Sequence, residues 1–151
     1  MRPMTPEDLY AIAWIGECDL SADGQRIAFV VTRLDRETDR VRSTIWVVDA
    51  EGGTPRPFTT GPRRDTAPRW SPDCRWLAFL SERDEAKAQL YVIPARGGEA
   101  RRLTSLPFGA GLPVWAPDGA RIAFGARTGT PPDPDAGKAR PFRRLTTLKY
   151  R

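Results

Sequence analysis

The 151-residue sequence predicts an all-β fold: a partial β-propeller with about two complete four-stranded blades, an incomplete third and a short N-terminal helix. Three observations predict it. One is a pattern in three copies: Leu20-Ser21-Ala22-Asp23-Gly24 before Ile27-Ala28-Phe29, Trp70-Ser71-Pro72-Asp73-Cys74 before Leu77-Ala78-Phe79, and Trp115-Ala116-Pro117-Asp118-Gly119 before Ile122-Ala123-Phe124. The second is a companion pattern. Ile45-Trp46-Val47-Val48-Asp49 runs through Gly52-Gly53 to Pro57-Phe58-Thr59, and Leu90-Tyr91-Val92-Ile93-Pro94 runs through Gly97-Gly98 to Arg102-Leu103-Thr104. The third is spacing: successive copies recur every 45 to 50 residues, the period of a four-stranded propeller blade.

The elements follow in chain order. Thr5 is placed to cap a helix with Pro6 at its first position and Glu7 and Asp8 in its first turn, where carboxylates favour the positive helix end. Leu9, Ile12 and Ala13 fall on one face of it, with Trp14 and Ile15 behind, so residues 1–16 read as a docking helix of about eight to ten residues. The propeller part is 17–151, in units of about 17–62, 63–108 and an incomplete 109–151. Each unit opens with a tight hairpin turn at Asp23-Gly24, Asp73-Cys74 or Asp118-Gly119. The strands after these turns (26–31, 76–80 and 121–124) are nearly continuous apolar runs, as expected of strands buried on both faces between blades. A second hairpin turns at the Gly-Gly pairs, and its far strand, richer in Arg, Pro and Thr, suits an exposed blade edge. Residues 125–137 read as a loop. Beyond them, Arg143-Arg144-Leu145-Thr146 echoes Arg101-Arg102-Leu103-Thr104 without the strand that should precede it, so residues 139–151 read as an interrupted blade and the chain as an N-terminal piece.

Cys74 stands where the other copies carry Gly, and a Cβ at a left-handed turn position costs roughly 1 kcal/mol. Drift at a tolerant turn accounts for it better than a redox or metal role, because the other cysteine, Cys18, lies in a different unit and the chain has no His. Two cysteines in different units argue against a disulfide scaffold and for a reducing, cytoplasmic setting. No apolar run approaches membrane-spanning length, and no secretory cleavage site follows residues 9–16.

The net charge of +5 comes from 21 Arg and 3 Lys set among 19 acids. Only residues 140–151, with Phe142 and Tyr150 interleaved, resemble a single-strand binding surface. Solvated loop and edge charge explains the balance better, so no nucleic-acid partner is expected. The absence of His excludes a Ser-His-Asp triad, a Cys-His pair and a His-ligated zinc within this sequence. None of Ser21, Ser43, Ser71, Ser81 and Ser105 sits in a Gly-x-Ser-x-Gly elbow, and the glycines do not form a phosphate loop. Asp23, Asp73 and Asp118 recur once per unit, which marks them as turn acceptors. No catalytic, metal or cofactor-binding residue is assigned, and no cofactor is expected.

The opening Met4-Thr5-Pro6-Glu7-Asp8-Leu9, joined to the repeats at Ser21 to Phe29, Trp70 to Phe79, Val92 to Thr104 and Trp115 to Phe124, resembles the N-terminal region of prolyl oligopeptidase family serine peptidases. The acylaminoacyl-peptidase and dipeptidyl-peptidase-like branch is the nearest in pattern, while the repeats alone are shared with the Tol-system propeller. The resemblance implies a propeller of seven or eight blades covering the active site of a C-terminal α/β-hydrolase domain of the same protein. It would admit short or unfolded peptide substrates, and the catalytic Ser, Asp and His would lie in the hydrolase domain. The chain itself would be a non-catalytic gating segment. The alternative is a stand-alone propeller module that binds protein partners. If the propeller lines a channel, the inner-strand and top-loop residues near Glu17, Arg63, Arg64 and Arg83 are the region to meet substrate, with no single residue of it assigned. Blades bury their faces on neighbours, so a lone array of this size is expected to be marginal, and homo-oligomer formation stays open.

Overall fold

The computed structural model describes residues 2–61, 63–84 and 87–129. Residues 139–151, read above as an interrupted blade with a basic tail, lie outside the described residues. The described strands form three antiparallel sheets. The first holds β1 (Ala13–Leu20), β2 (Arg26–Asp35), β3 (Arg40–Asp49) and β4 (Arg56–Pro57) in that order. The second repeats it with β5 (Asp65–Trp70), β6 (Trp76–Ser81), β7 (Gln89–Pro94) and β8 (Arg101–Arg102). The third is the pair β9 (Val114–Trp115) and β10 (Ile122–Ala123). These are two four-stranded blades and the opening hairpin of a third unit.

The tight turns form for the reason their residue types suggest. Ser21 Oγ donates to Asp23 Oδ1 at 2.5 Å and accepts from the Arg26 amide at 2.9 Å, while Asp23 Oδ1 also takes the Gln25 amide at 3.1 Å. Ser71, Asp73, Arg75 and Trp76 reproduce this set at 2.5, 3.1 and 2.9 Å. The third turn has Ala116 in place of the serine, and Asp118 accepts from the Ala120 amide at 3.0 Å. In all three the next residue is left-handed: Gly24 at φ 70°, Cys74 at φ 56° and Gly119 at φ 67°.

These bonds hold the Asp23 and Asp73 carboxylates below their ordinary value of 3.8, chiefly through the serine hydroxyls and then the turn amides; the Thr38 amide does the same for Asp35. A carboxyl depressed on folding contributes stability above the unfolded value that is lost as pH falls through the folded one. The urea midpoint is therefore expected to drop as the pH is taken below 3.8, and to drop less in Asp73→Asn.

Blades pack face to face. Ala28, Val30, Ile45 and Val47 of the first meet Trp70, Leu77, Phe79, Tyr91 and Ile93 of the second in one buried cluster, closed by Phe58. The other face of the second blade, with Ala78, Leu80, Leu90 and Val92, is covered by Trp115 and Ile122 of the third unit. Full burial of one such side chain is worth about 1.5–3 kcal/mol, so the seams carry much of the stability. The far strands behave as edges: β4 is exposed and β8 nearly so.

Three expectations need correction. The N-terminal helix is a six-residue 3-10 turn, Pro6–Ala11, with no buried residue, and Ala13 to Gly16 belong to β1. Trp14 and Ile15 pair in register with Thr32 and Val31, because strand pairing along a long β2 satisfies their backbone groups and suits the β-branched Ile15. Asp8 still closes the turn, accepting the Thr5 amide at 2.8 Å. The last apolar run, expected over 121–124, is a strand only at Ile122–Ala123. It pairs with β9 alone among the described residues.

Candidate functional site

The two ends of the blades differ in chemistry. At the tight-turn end, Arg26 leaves the first blade and binds the second. Its guanidinium donates to the Ala95 carbonyl at 2.9 Å and the Cys74 carbonyl at 3.0 Å, and lies 4.6 Å over the Trp70 ring. One strand away, Asp19 accepts the Trp70 amide at 2.7 Å. This clamp forms one wall of a cleft of about 650 Å³ that also has Asp23, Cys74, Arg75, Trp76 and Arg96 in its lining. Arg26 is thus occupied in holding blades together. Arg26→Gln is expected to lower unfolding stability by about 2 kcal/mol, from two charged hydrogen bonds and a ring contact, while Arg75→Gln in the same cleft changes little; urea titrations of both variants check this.

Cys74 sits in the clamped turn and lines the cleft together with Asp23. The Asp23 carboxylate is held by Ser21 and Gln25, so backbone strain at φ 56° dominates the contribution of Cys74. Cys74→Gly is expected to raise stability by about 1 kcal/mol in the same titration.

At the opposite end the first blade carries a feature the repeat lacks. β2 and β3 are 10 residues each, whereas β6 and β7 are 6. The extra residues form an arm, registered from Thr32↔Ser43 to Asp35↔Arg40 and closed by a turn in which Asp35 Oδ1 accepts the Glu37 and Thr38 amides at 3.1 and 2.9 Å. The N-terminal turn braces it: Tyr10 donates to Asp39 at 3.2 Å, and the Arg36 guanidinium lies 5.9 Å from the Tyr10 ring centre. Between this arm and the connector into the second blade is a cleft of about 280 Å³ lined by Asp35, Thr38, Arg40, Val41, Arg42, Arg63, Arg64 and Glu82.

Of the four residues that mark the region expected to meet substrate, Arg63 and Arg64 line this cleft. The connector carrying them is tied to both blades, the Arg63 carbonyl accepting from Ser43 and the Arg64 carbonyl from Glu82. Arg83 is turned inward instead: it donates to the buried Asp65 at 3.0 Å and to Ser81 at 2.9 Å, and lies over the Phe79 and Tyr91 rings. Tyr91 donates in turn to Asp84, and burial together with that carboxylate pushes its phenol up to about 12. Glu17 lies within the bulge of β1, between Ile15 and Cys18, and lines none of the clefts described here. Sequence reasoning missed Arg40 and Arg42, which it treated as scattered charge, and the clamp residues Asp19 and Arg26. Among the described residues no group of three or more His, Cys, Asp or Glu could hold a metal ion.

Four-stranded antiparallel blades stacked face to face, joined by a clamp at one end and a connector at the other, define a propeller-type repeat protein. The sequence matches the TolB β-propeller domain family, PD40, over residues 15–133, and the chain belongs to that family. It is 43% identical over 80 residues, 53% of its length, to a protein of Bacillus subtilis (strain 168) named uncharacterized peptidase YuxL, and spans 12% of that relative. Among solved structures, a TolB-type protein of Agrobacterium tumefaciens superposes with a TM-score of 0.59 at 25% identity, over 75% of this chain and 38% of that one. The acylaminoacyl peptidase of Pyrococcus horikoshii shares the fold with a TM-score of 0.63 at 20% identity, over 76% of this chain and 17% of that one.

Proposed function

We propose that the chain is the non-catalytic propeller segment of a serine peptidase, and that it controls which peptides reach an α/β-hydrolase active site outside residues 1–151. The observation that carries this reading is the 43% identity to YuxL, named a peptidase, of which this chain matches a small part. The sequence is consistent with this: it has no His for a triad and no nucleophile elbow, so a Ser-His-Asp centre would have to lie outside residues 1–151. A ring of blades excludes a large substrate only as long as its seams stay closed, which gives Arg26 a role in size selection.

The test compares the gene product with its Arg26→Gln variant on a short chromogenic peptide and on a long unfolded polypeptide. Gating predicts that the variant keeps the short-peptide activity and gains activity on the long chain. An identical size dependence in both proteins contradicts it.

A second reading, a stand-alone propeller that binds protein partners, is favoured by the match to the A. tumefaciens TolB-type protein, of which the chain covers a larger share. It predicts no hydrolase activity in the gene product.

A further inference from the structure

The cleft beside the β2–β3 arm combines two features that no turn or seam requires. The first is charge. Four arginines, Arg40, Arg42, Arg63 and Arg64, face two carboxylates, Asp35 and Glu82. Among the described residues, no direct hydrogen bond or ion-pair contact engages the guanidinium groups of Arg40, Arg42 or Arg64, and Arg42 acts on Asp35 through its charge alone. Asp35 is committed to its own turn, where it takes two amides and the Thr38 hydroxyl. These side chains are exposed, so solvent screens their mutual repulsion, and an anion gains from them chiefly through charge-assisted hydrogen bonds that guanidinium groups can make in pairs.

The second feature is a stretch of strand edge beyond Ser43 with which no described strand pairs. On the outer side of β3, Ile45 bonds Phe58 and Thr59, and Ser43 donates to the Arg63 carbonyl. Outward-facing residues alternate along an antiparallel strand, so Val41 also turns its N–H and C=O outward. No described strand pairs with it there, since β4 pairs only with Trp46 and Val47. Val41 is 48% exposed and lines the same cleft. The second blade lacks this site because β6 and β7 end before the arm begins.

We propose that this cleft binds an extended acidic peptide segment, which adds to the edge of β3 at Val41 and places its carboxylates against Arg40, Arg42 and Arg64. Strand addition supplies main-chain hydrogen bonds, and the arginines select side chains that alternate along the added strand. Fork-shaped guanidinium groups suit carboxylates better than point charges would. The proposal holds for either reading of function, since such a segment can belong to a substrate or to a partner protein.

The experiment is fluorescence anisotropy of a labelled oligoglutamate peptide with the purified chain. Saturable binding is expected, weakened about tenfold or more in the triple variant Arg40→Gln, Arg42→Gln, Arg64→Gln, through loss of several charged hydrogen bonds. Arg75→Gln with Arg96→Gln, at the opposite end, should leave binding in place. An oligoglutamate N-methylated at alternate residues should bind far more weakly, because it cannot extend the strand. Equal affinity of the triple variant and the unaltered chain overturns the site, and equal affinity of the N-methylated peptide overturns strand addition. Tighter binding of oligothymidylate, lost in the same triple variant, overturns the peptide assignment in favour of nucleic acid.

Discussion

Phe79→Ala is expected to lower unfolding stability by about 3–5 kcal/mol, the largest effect of any single truncation at the first seam. Phe79 has no exposed surface, packs into the cluster shared by both blades, and stacks on Tyr91 with ring centres 5.8 Å apart. Its removal leaves a cavity that the clamped blades cannot collapse around, and it takes away a face over which Arg83 is laid. Phe29 is the same residue of the repeat one blade earlier, yet it is only half-buried because no described unit covers that face. Phe29→Ala should therefore cost about 1 kcal/mol in the same chain, as a partly exposed ring loses less transfer free energy. Denaturant titration of the pair measures the difference directly. Equal costs would mean that the face-to-face packing of the first two blades does not hold the chain together.

Asp65→Ala is expected to cost about 3 kcal/mol or more, because it strands charge and hydrogen-bonding groups away from water. Asp65 is 1% exposed, and its carboxylate accepts Ser81 Oγ at 2.5 Å and the Arg83 guanidinium at 3.0 Å. Without it, a largely covered guanidinium loses its counter-charge and the Ser81 hydroxyl loses its acceptor. A Cβ at Gly61 would lie 2.9 Å from the same carboxylate, so the connector is moulded around it. The double variant Asp65→Ala, Arg83→Leu should recover part of the loss, since removing both charges leaves neither unpaired. A double variant no better than Asp65→Ala alone would show that the carboxylate matters through the connector and not through Arg83.

The legible parts of the sequence were those set by local chemistry. Ser21 and Asp23, and again Ser71 and Asp73, build their turns from residues within five positions of one another. The repeat period therefore reported the four-stranded blades and their tight turns. Seam contacts are a different matter. Arg26 reaches a carbonyl 69 positions away and Asp19 an amide 51 positions away, and nothing in their immediate neighbours marks them. The arm was hidden for a related reason. Arg33-Leu34-Asp35-Arg36-Glu37 reads as solvated charge, yet cross-strand pairing continues through it, with Asp35 in register opposite Arg40, and the Asp35 turn closes the hairpin. That continuation drew Trp14 and Ile15 out of the expected helix and into β1. The pairing of Arg83 was not legible either, because a solvated loop arginine and one laid over a buried carboxylate look the same in sequence until Asp65 is found beneath it.

The central claim is that this propeller serves a hydrolase active site. The most direct measurement is to capture the gene product from its source with an antibody against residues 15–129 and treat it with a fluorophosphonate probe that labels active serine nucleophiles. The account predicts a polypeptide well above 16.8 kDa that takes up the label and loses it after heat denaturation. A captured product that stays unlabelled under conditions where a known serine peptidase is labelled would contradict the peptidase reading and leave the propeller as a binding module.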